Sequence, residues 1–245
     1  MSLYNEQNYS GINNEAIKGT AVLSRTFISR VFTWMTLALT ITAITSFLWA
    51  STPSLMELLI NPDGRGLSIF GWVVMFAPLG FVLLMSFGFQ KLSAPLMILL
   101  FIVYSVIMGM SLSFIFLIYH LGTIGVTFGI TAGMFGAMAI TGYITKTDLT
   151  KFGSILIMGV FGLILAMVIN FFMKSSMMDY IISVIGVLIF TGLTAYDVQK
   201  LKRIGTTIDN GTAAATKMSI MGALTLYLDF INLFLRLLRI FGKRK

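Results

Sequence analysis

The segment Met218–Phe241, MSIMGALTLYLDFINLFLRLLRIF, is the stretch on which the fold of this chain turns. It is long enough to cross a bilayer, which takes about 20 residues of α-helix, and it is apolar except for Asp229, Asn232, Arg236 and Arg239. Gly222, Thr225, Asp229, Asn232 and Arg236 recur at alternating three- and four-residue steps, so on a helix they form one polar stripe. Hydrocarbon cannot solvate such a stripe. The segment therefore reads as a membrane-spanning helix enclosed by others, with Asp229 facing a neighbour or a small wet cavity.

The rest of the chain supplies the enclosure. Val31 to Met56, Gly66 to Gln90 and Phe152 to Met173 carry no charge, and Tyr180 to Gln199 carries only Asp197. Leu92 to Thr145 is too long for one helix and breaks at Tyr119, His120, Leu121 and Gly122, where two spans meet in a tight turn. The intervals predict an all-α integral membrane protein, a seven-transmembrane-helix bundle with a buried, central C-terminal helix. The spans fall near 31–50, 67–89, 95–118, 122–145, 152–173, 179–199 and 218–241. A polar cytoplasmic tail over 1–27 precedes a single membrane domain over 28–245. Composition agrees, with 57% hydrophobic and 11% charged residues against about 25% charged in soluble domains.

Basic residues set the orientation. With the N-terminus cytoplasmic, the inner group holds Lys18, Arg25, Arg30, Lys91, Lys146, Lys151, Lys200, Lys202, Arg203 and Lys217, and the outer loops hold Arg65 and Lys174. Ten against two follows the positive-inside rule. Arg236, Arg239, Lys243, Arg244 and Lys245 run against it, so the last helix either docks and is translocated whole or turns back to the cytoplasmic side. The first apolar run is of full span length and lacks a small-residue cleavage site, which reads as no cleaved signal peptide.

The absence of cysteine and the single histidine, His120, weaken hydrolase and metal-cluster readings. The net charge of +8 is spread singly between apolar runs and not along one face, so nucleic acid is not an expected partner. Trp34, Trp49 and Trp72 lie near span ends, as interfacial indoles do. Gly125, Gly129 and Gly133 share one face of the fourth span and predict close approach of another helix there, or a pore-lining role.

Asp197 and Asp229 stand out chemically. An Asp at the centre of a transmembrane helix costs roughly 2.5–3.5 kcal/mol to insert. The other acids, Glu6, Glu15, Glu57, Asp63, Asp148, Asp179 and Asp209, fall in tails, loops or helix edges. Asp197 sits about one turn inside the end of the sixth span, with Thr194 on its face. If the two acids meet, they form a proton-sharing pair that titrates as a unit. Losing the shared proton adds charge that a cation must screen or helix separation must relieve. Calcium prefers about six to eight oxygen ligands, so two carboxylates would hold it weakly or in transit. A purely structural hydrogen bond from Asp229 to Asn232, Arg236 or a backbone break remains the alternative.

Thr194-Ala195-Tyr196-Asp197-Val198-Gln199 and Leu226-Tyr227-Leu228-Asp229-Phe230-Ile231-Asn232-Leu233-Phe234 resemble the paired signatures of the Bax inhibitor-1 (lifeguard) family, in its bacterial form. The resemblance extends over nearly the whole chain. It implies six helices around a buried seventh and a pH-sensitive calcium leak controlled by an aspartate pair, which falls on Asp197 and Asp229 as ion-binding residues and pH sensor. Thr194, Thr225, Asn232 and Arg236 would support the pair. Some bacterial members carry arginines at the end of the second helix near the aspartates; here that end is Gln90-Lys91, making Lys91 the candidate gate partner. The connection from Lys200 to Lys217 looks longer than in compact members and reads as a cytoplasmic loop insertion.

An intramembrane aspartyl protease would need Gly-x-Gly-Asp and a later Pro-Ala-Leu. This chain has Tyr227-Leu228-Asp229, and its last proline is Pro95. A retinal protein would need a mid-helix lysine for its Schiff base, and the seventh span has none. A non-enzymatic reading is thus expected, without cofactors, with the lipid bilayer and calcium ions as partners. The competing reading is an interaction protein of stress survival or membrane-protein quality control that binds a membrane protease. The pattern favours a bacterial inner membrane with the N-terminus cytoplasmic.

Overall fold

The computed structural model describes residues 3–61, 66–243 and 245, with side chains from Val22 onward. Glu6, Glu15 and Lys18 as side chains, and Asp63, Arg65 and Arg244 entirely, lie outside the described residues. Among those described, nine helices follow in order: α1 Leu3–Ser51, α2 Pro53–Leu59, α3 Ile69–Gly88, α4 Ala94–Leu112, α5 Ile115–Ile118, α6 Leu121–Ile144, α7 Thr150–Met173, α8 Ser176–Thr207 and α9 Ala213–Phe241. Seven are long and apolar enough to cross a membrane, α4 and α5 together forming one span. The protein is an integral membrane bundle.

Local chemistry sets the breaks. Pro53 cannot continue α1 and opens α2 instead. The α5–α6 turn sits at Tyr119 and His120, and the α7–α8 turn uses left-handed Lys174 followed by Ser175, whose hydroxyl accepts from the Met178 N–H. Thr212 caps α9 by accepting from Ala215 N–H.

α9 lies at the centre. It packs against α1, α4, α6 and α8, while α3 packs on α4 and α7 packs on α8. The six-around-one expectation is thus four helices in direct packing, with α3 and α7 on the periphery. Leu224, Leu226, Tyr227, Leu233 and Leu238 of α9 are almost fully inaccessible. α7 buries only Gly153 and Leu163 and turns the rest of its apolar surface outward.

The polar N-terminal segment is helical from Leu3 onward, as the first part of α1. Two expectations are corrected. The connection read as a loop insertion is mostly helix: α8 runs to Thr207 and α9 starts at Ala213, leaving a short turn over Asp209-Asn210-Gly211. This extension docks on α1, where Ser24 donates to Lys202 O and Asn210 Nδ2 to Leu23 O. Lastly, Gly125, Gly129 and Gly133 have nothing within 4 Å of where a Cβ would stand. No helix approaches them, and their face is open.

The course of the C-terminus is settled. α9 ends beside the α5–α6 turn, where the Lys245 backbone N–H donates to Ile118 O at 2.9 Å and its Nζ to Phe116 O at 2.8 Å. Arg239 pairs with Asp179 near the start of α8. The last helix therefore crosses the whole bundle and does not turn back.

Candidate functional site

α8 brings Asp197 to α9, and α9 brings Asp229 to meet it. Two close approaches hold α8 in place. A Cβ on Gly142 of α6 would lie 2.1 Å from Ala195 O, and one on Gly153 of α7 would strike the Tyr196 ring. Only glycine lets the α6 backbone come this near Ala195 and leaves room on α7 for the Tyr196 ring, just before Asp197.

The two carboxyl groups are close neighbours, each acting on the other. Asp197 is 8% and Asp229 5% exposed. Asp229 Oδ2 has no donor among the described residues. Two ionised carboxylates offer only acceptors, so a bond between them needs one proton held by the pair. Lys200, one turn farther along α8, is the cation that acts on Asp197.

The remaining candidates divide. Thr225, Asp229, Asn232 and Arg236 line one cavity of about 300 Å³ between α7, α8 and α9. Thr194 is buried but returns its hydroxyl to Phe190 O and lies off that lining. Thr225 and Asn232 likewise donate to carbonyls of their own helix, Met221 O and Leu228 O. Lys91 is exposed at the turn after α3, and the structure does not bring it to the pair. Lys217 lies at that same turn, with Nζ over the Phe89 ring at 4.9 Å and 3.5 Å from Gln90 O.

A metal cage is absent among the described residues, which contain no group of three or more His, Asp, Glu or Cys able to hold an ion. A cation at the pair would need most of its oxygen ligands from water or backbone.

The family model described as inhibitor of apoptosis-promoting Bax1 matches residues 24–245. The chain belongs to the Bax inhibitor-1 family. It is 46% identical over 222 residues to the inner membrane protein YbhL of Escherichia coli K12, covering 90% of this chain and 93% of that protein. An uncharacterised protein of Borreliella burgdorferi is 40% identical over 228 residues, covering 93% and 96%. One of Rickettsia prowazekii is 41% identical over 221 residues, covering 90% and 91%.

In this Bax inhibitor-1 chain two polar ties close in sequence to the pair escape sequence reasoning. Gln199, two residues past Asp197, clamps the α6–α7 loop: Oε1 accepts from Leu149 N–H and Arg203 Nη2, both at 2.9 Å, and Nε2 donates to Thr147 O at 2.8 Å. Its presence within the quoted motif was the available signal. Tyr227, two residues before Asp229, shares a 2.7 Å hydroxyl bond with Thr42, which donates to Ser105 O. This ties α9 to α1 and α4. At the surface beside Gln199, hydrogen bonds from Thr150 and then Arg203 hold the Asp148 carboxyl well below the usual carboxylate range.

Proposed function

We propose that this Bax inhibitor-1 protein is a pH-sensitive leak pathway for cations, calcium foremost, gated by Asp197 and Asp229 in a bacterial inner membrane with the N-terminus cytoplasmic. The observation that carries the reading is the contact between two buried carboxyls at the α8–α9 seam. While the pair keeps its proton, the bond fastens the two helices together. Raising the pH removes that proton and leaves two like charges facing each other in low dielectric. A cation entering from the cavity beside Asp229 relieves the repulsion, and so does parting of the helices. Flux should therefore rise with pH. The description of YbhL as an inner membrane protein supports the location; ten basic residues in the inner connections against Arg65 and Lys174 in the outer loops support the orientation, and the C-terminal Lys243, Arg244 and Lys245 run against it.

The test is calcium entry into liposomes across pH steps, comparing wild type with Asp197→Asn and Asp229→Asn. Asparagine keeps the size and supplies an amide donor to the remaining carboxylate, imitating the protonated pair. Both variants should show low flux that no longer responds to pH. Flux no greater than in empty liposomes, with wild type folded, would reject the channel reading and direct attention to a membrane-protein partner.

A further inference from the structure

Arg236 is a buried cation without an anion. It is 6% exposed, its Nε has no partner, and its Nη2 donates to Met167 Sδ, a weak acceptor. The carboxylate that acts on it, Asp179, is ion-paired with Arg239. The place of the side chain is built into the fold, since a Cβ on Gly186 of α8 would lie 2.9 Å from Arg236 Cδ. A cation kept at membrane depth with most of its donors idle calls for an oxyanion.

The surroundings say which kind. The cavity of about 300 Å³ that Arg236 shares with Thr225, Asp229 and Asn232 is otherwise walled by apolar side chains, among them Val160, Leu163 and Leu193. α7 packs on α8, and Ile164, on the cavity wall, is 47% exposed. The mouth thus opens sideways toward lipid. At the membrane end nearest Arg236 a larger recess of about 660 Å³ includes Lys174 and the Arg239–Asp179 pair, which leaves one net positive charge to attract an anion to that end. A single anionic head with an apolar tail fits both features. We propose that the α7–α9 cavity binds an anionic amphiphile, its oxyanion on Arg236 and its alkyl chain along α7. The head is a fatty-acid carboxylate or the phosphate of an anionic lipid; the site shares its cavity with Asp229 and does not require that the aspartate pair gate a leak.

The test uses the full chain in phosphatidylcholine nanodiscs and radiolabelled laurate, read as saturable binding above protein-free discs and as a rise in thermal stability. Arg236→Gln should weaken laurate binding by about tenfold or more, because charge-assisted hydrogen bonds are lost, and should abolish the thermal shift. Ile164→Trp, placed at the half-exposed mouth, should block binding with the ligand-free protein unaltered, and it carries the test if Arg236→Gln does not fold. Competition by phosphatidylglycerol in the disc identifies a lipid phosphate as the source, and its failure to compete identifies the free acid. Equal laurate binding by Arg236→Gln, or competition by dodecanol or acetate as strong as by laurate, overturns the proposal.

Discussion

The charges at the ends of the bundle and those in its middle are arranged in opposite ways. Asp148 is paired with Arg203 and Asp179 with Arg239, where the carboxylate meets an arginine from another segment. In the middle, Asp197 and Asp229 have each other, and Arg236 has a thioether. An exposed pair can satisfy itself with water and contributes little, whereas an unpaired charge at membrane depth is costly. A fold selected for stability alone would put its ion pairs where the core groups sit, or leave those positions apolar. The middle charges therefore mark what the bundle does, and the end charges mark where it stops.

That contrast breaks most easily at Arg236. Replacing it with Met keeps an unbranched side chain and removes the buried cation, so ligand-free thermal stability should rise, by as much as about 2.5–3.5 kcal/mol. A comparable loss on unfolding in nanodiscs would mean that the guanidinium is structural, and the distinction between middle and ends would fall. A smaller effect of opposite sign is expected at Gln199. Gln199→Leu deletes the two hydrogen bonds that pin the α6–α7 loop to α8 and a third from Arg203 within α8, which should cost about 2 kcal/mol. Faster amide exchange should be confined to residues 145–150. If exchange spreads through α9, the clamp supports the pair itself and not only the loop.

Much of this architecture is legible in the sequence, because membrane insertion is a local property. Charge-free runs of span length, the Tyr119-His120 turn and the stripe on the last helix each follow from a few adjacent residues. What depends on which faces meet is not legible. The Gly125, Gly129 and Gly133 stripe has the spacing of a packing face yet fronts open space, while Gly142 and Gly153, without such a repeat, make the close approaches. The Lys200–Lys217 segment is polar, and polarity suggested a loop, but its residues sustain helix and only Asp209-Asn210-Gly211 supplies turn chemistry. The same limit applied to the site. Sequence singled out Asp197 and Asp229 by their cost in lipid, but it could not show that Lys91 stays outside, that Gln199 reaches a loop 50 residues earlier, or that Arg236 has no counter-ion.

The smallest predicted effect sharpens the comparison from the other side. Arg239 follows Arg236 by one turn on the same helix, yet its guanidinium is half exposed and bonded to Asp179. Arg239→Gln should change stability by about 1 kcal/mol or less. Solvent screening already weakens the pair, so the difference between wild type and variant should shrink further as ionic strength rises through the range where the Debye length falls to about 8 Å and below. The Arg236→Met difference should hardly respond to salt, because a buried charge is screened far less by bulk ions than an exposed one. Parallel melts of the two variants across a salt series thus read burial directly: one flat line and one sloping line for two arginines a single turn apart. Two sloping lines would place Arg236 in contact with bulk water and remove the basis for treating it as a membrane-depth charge.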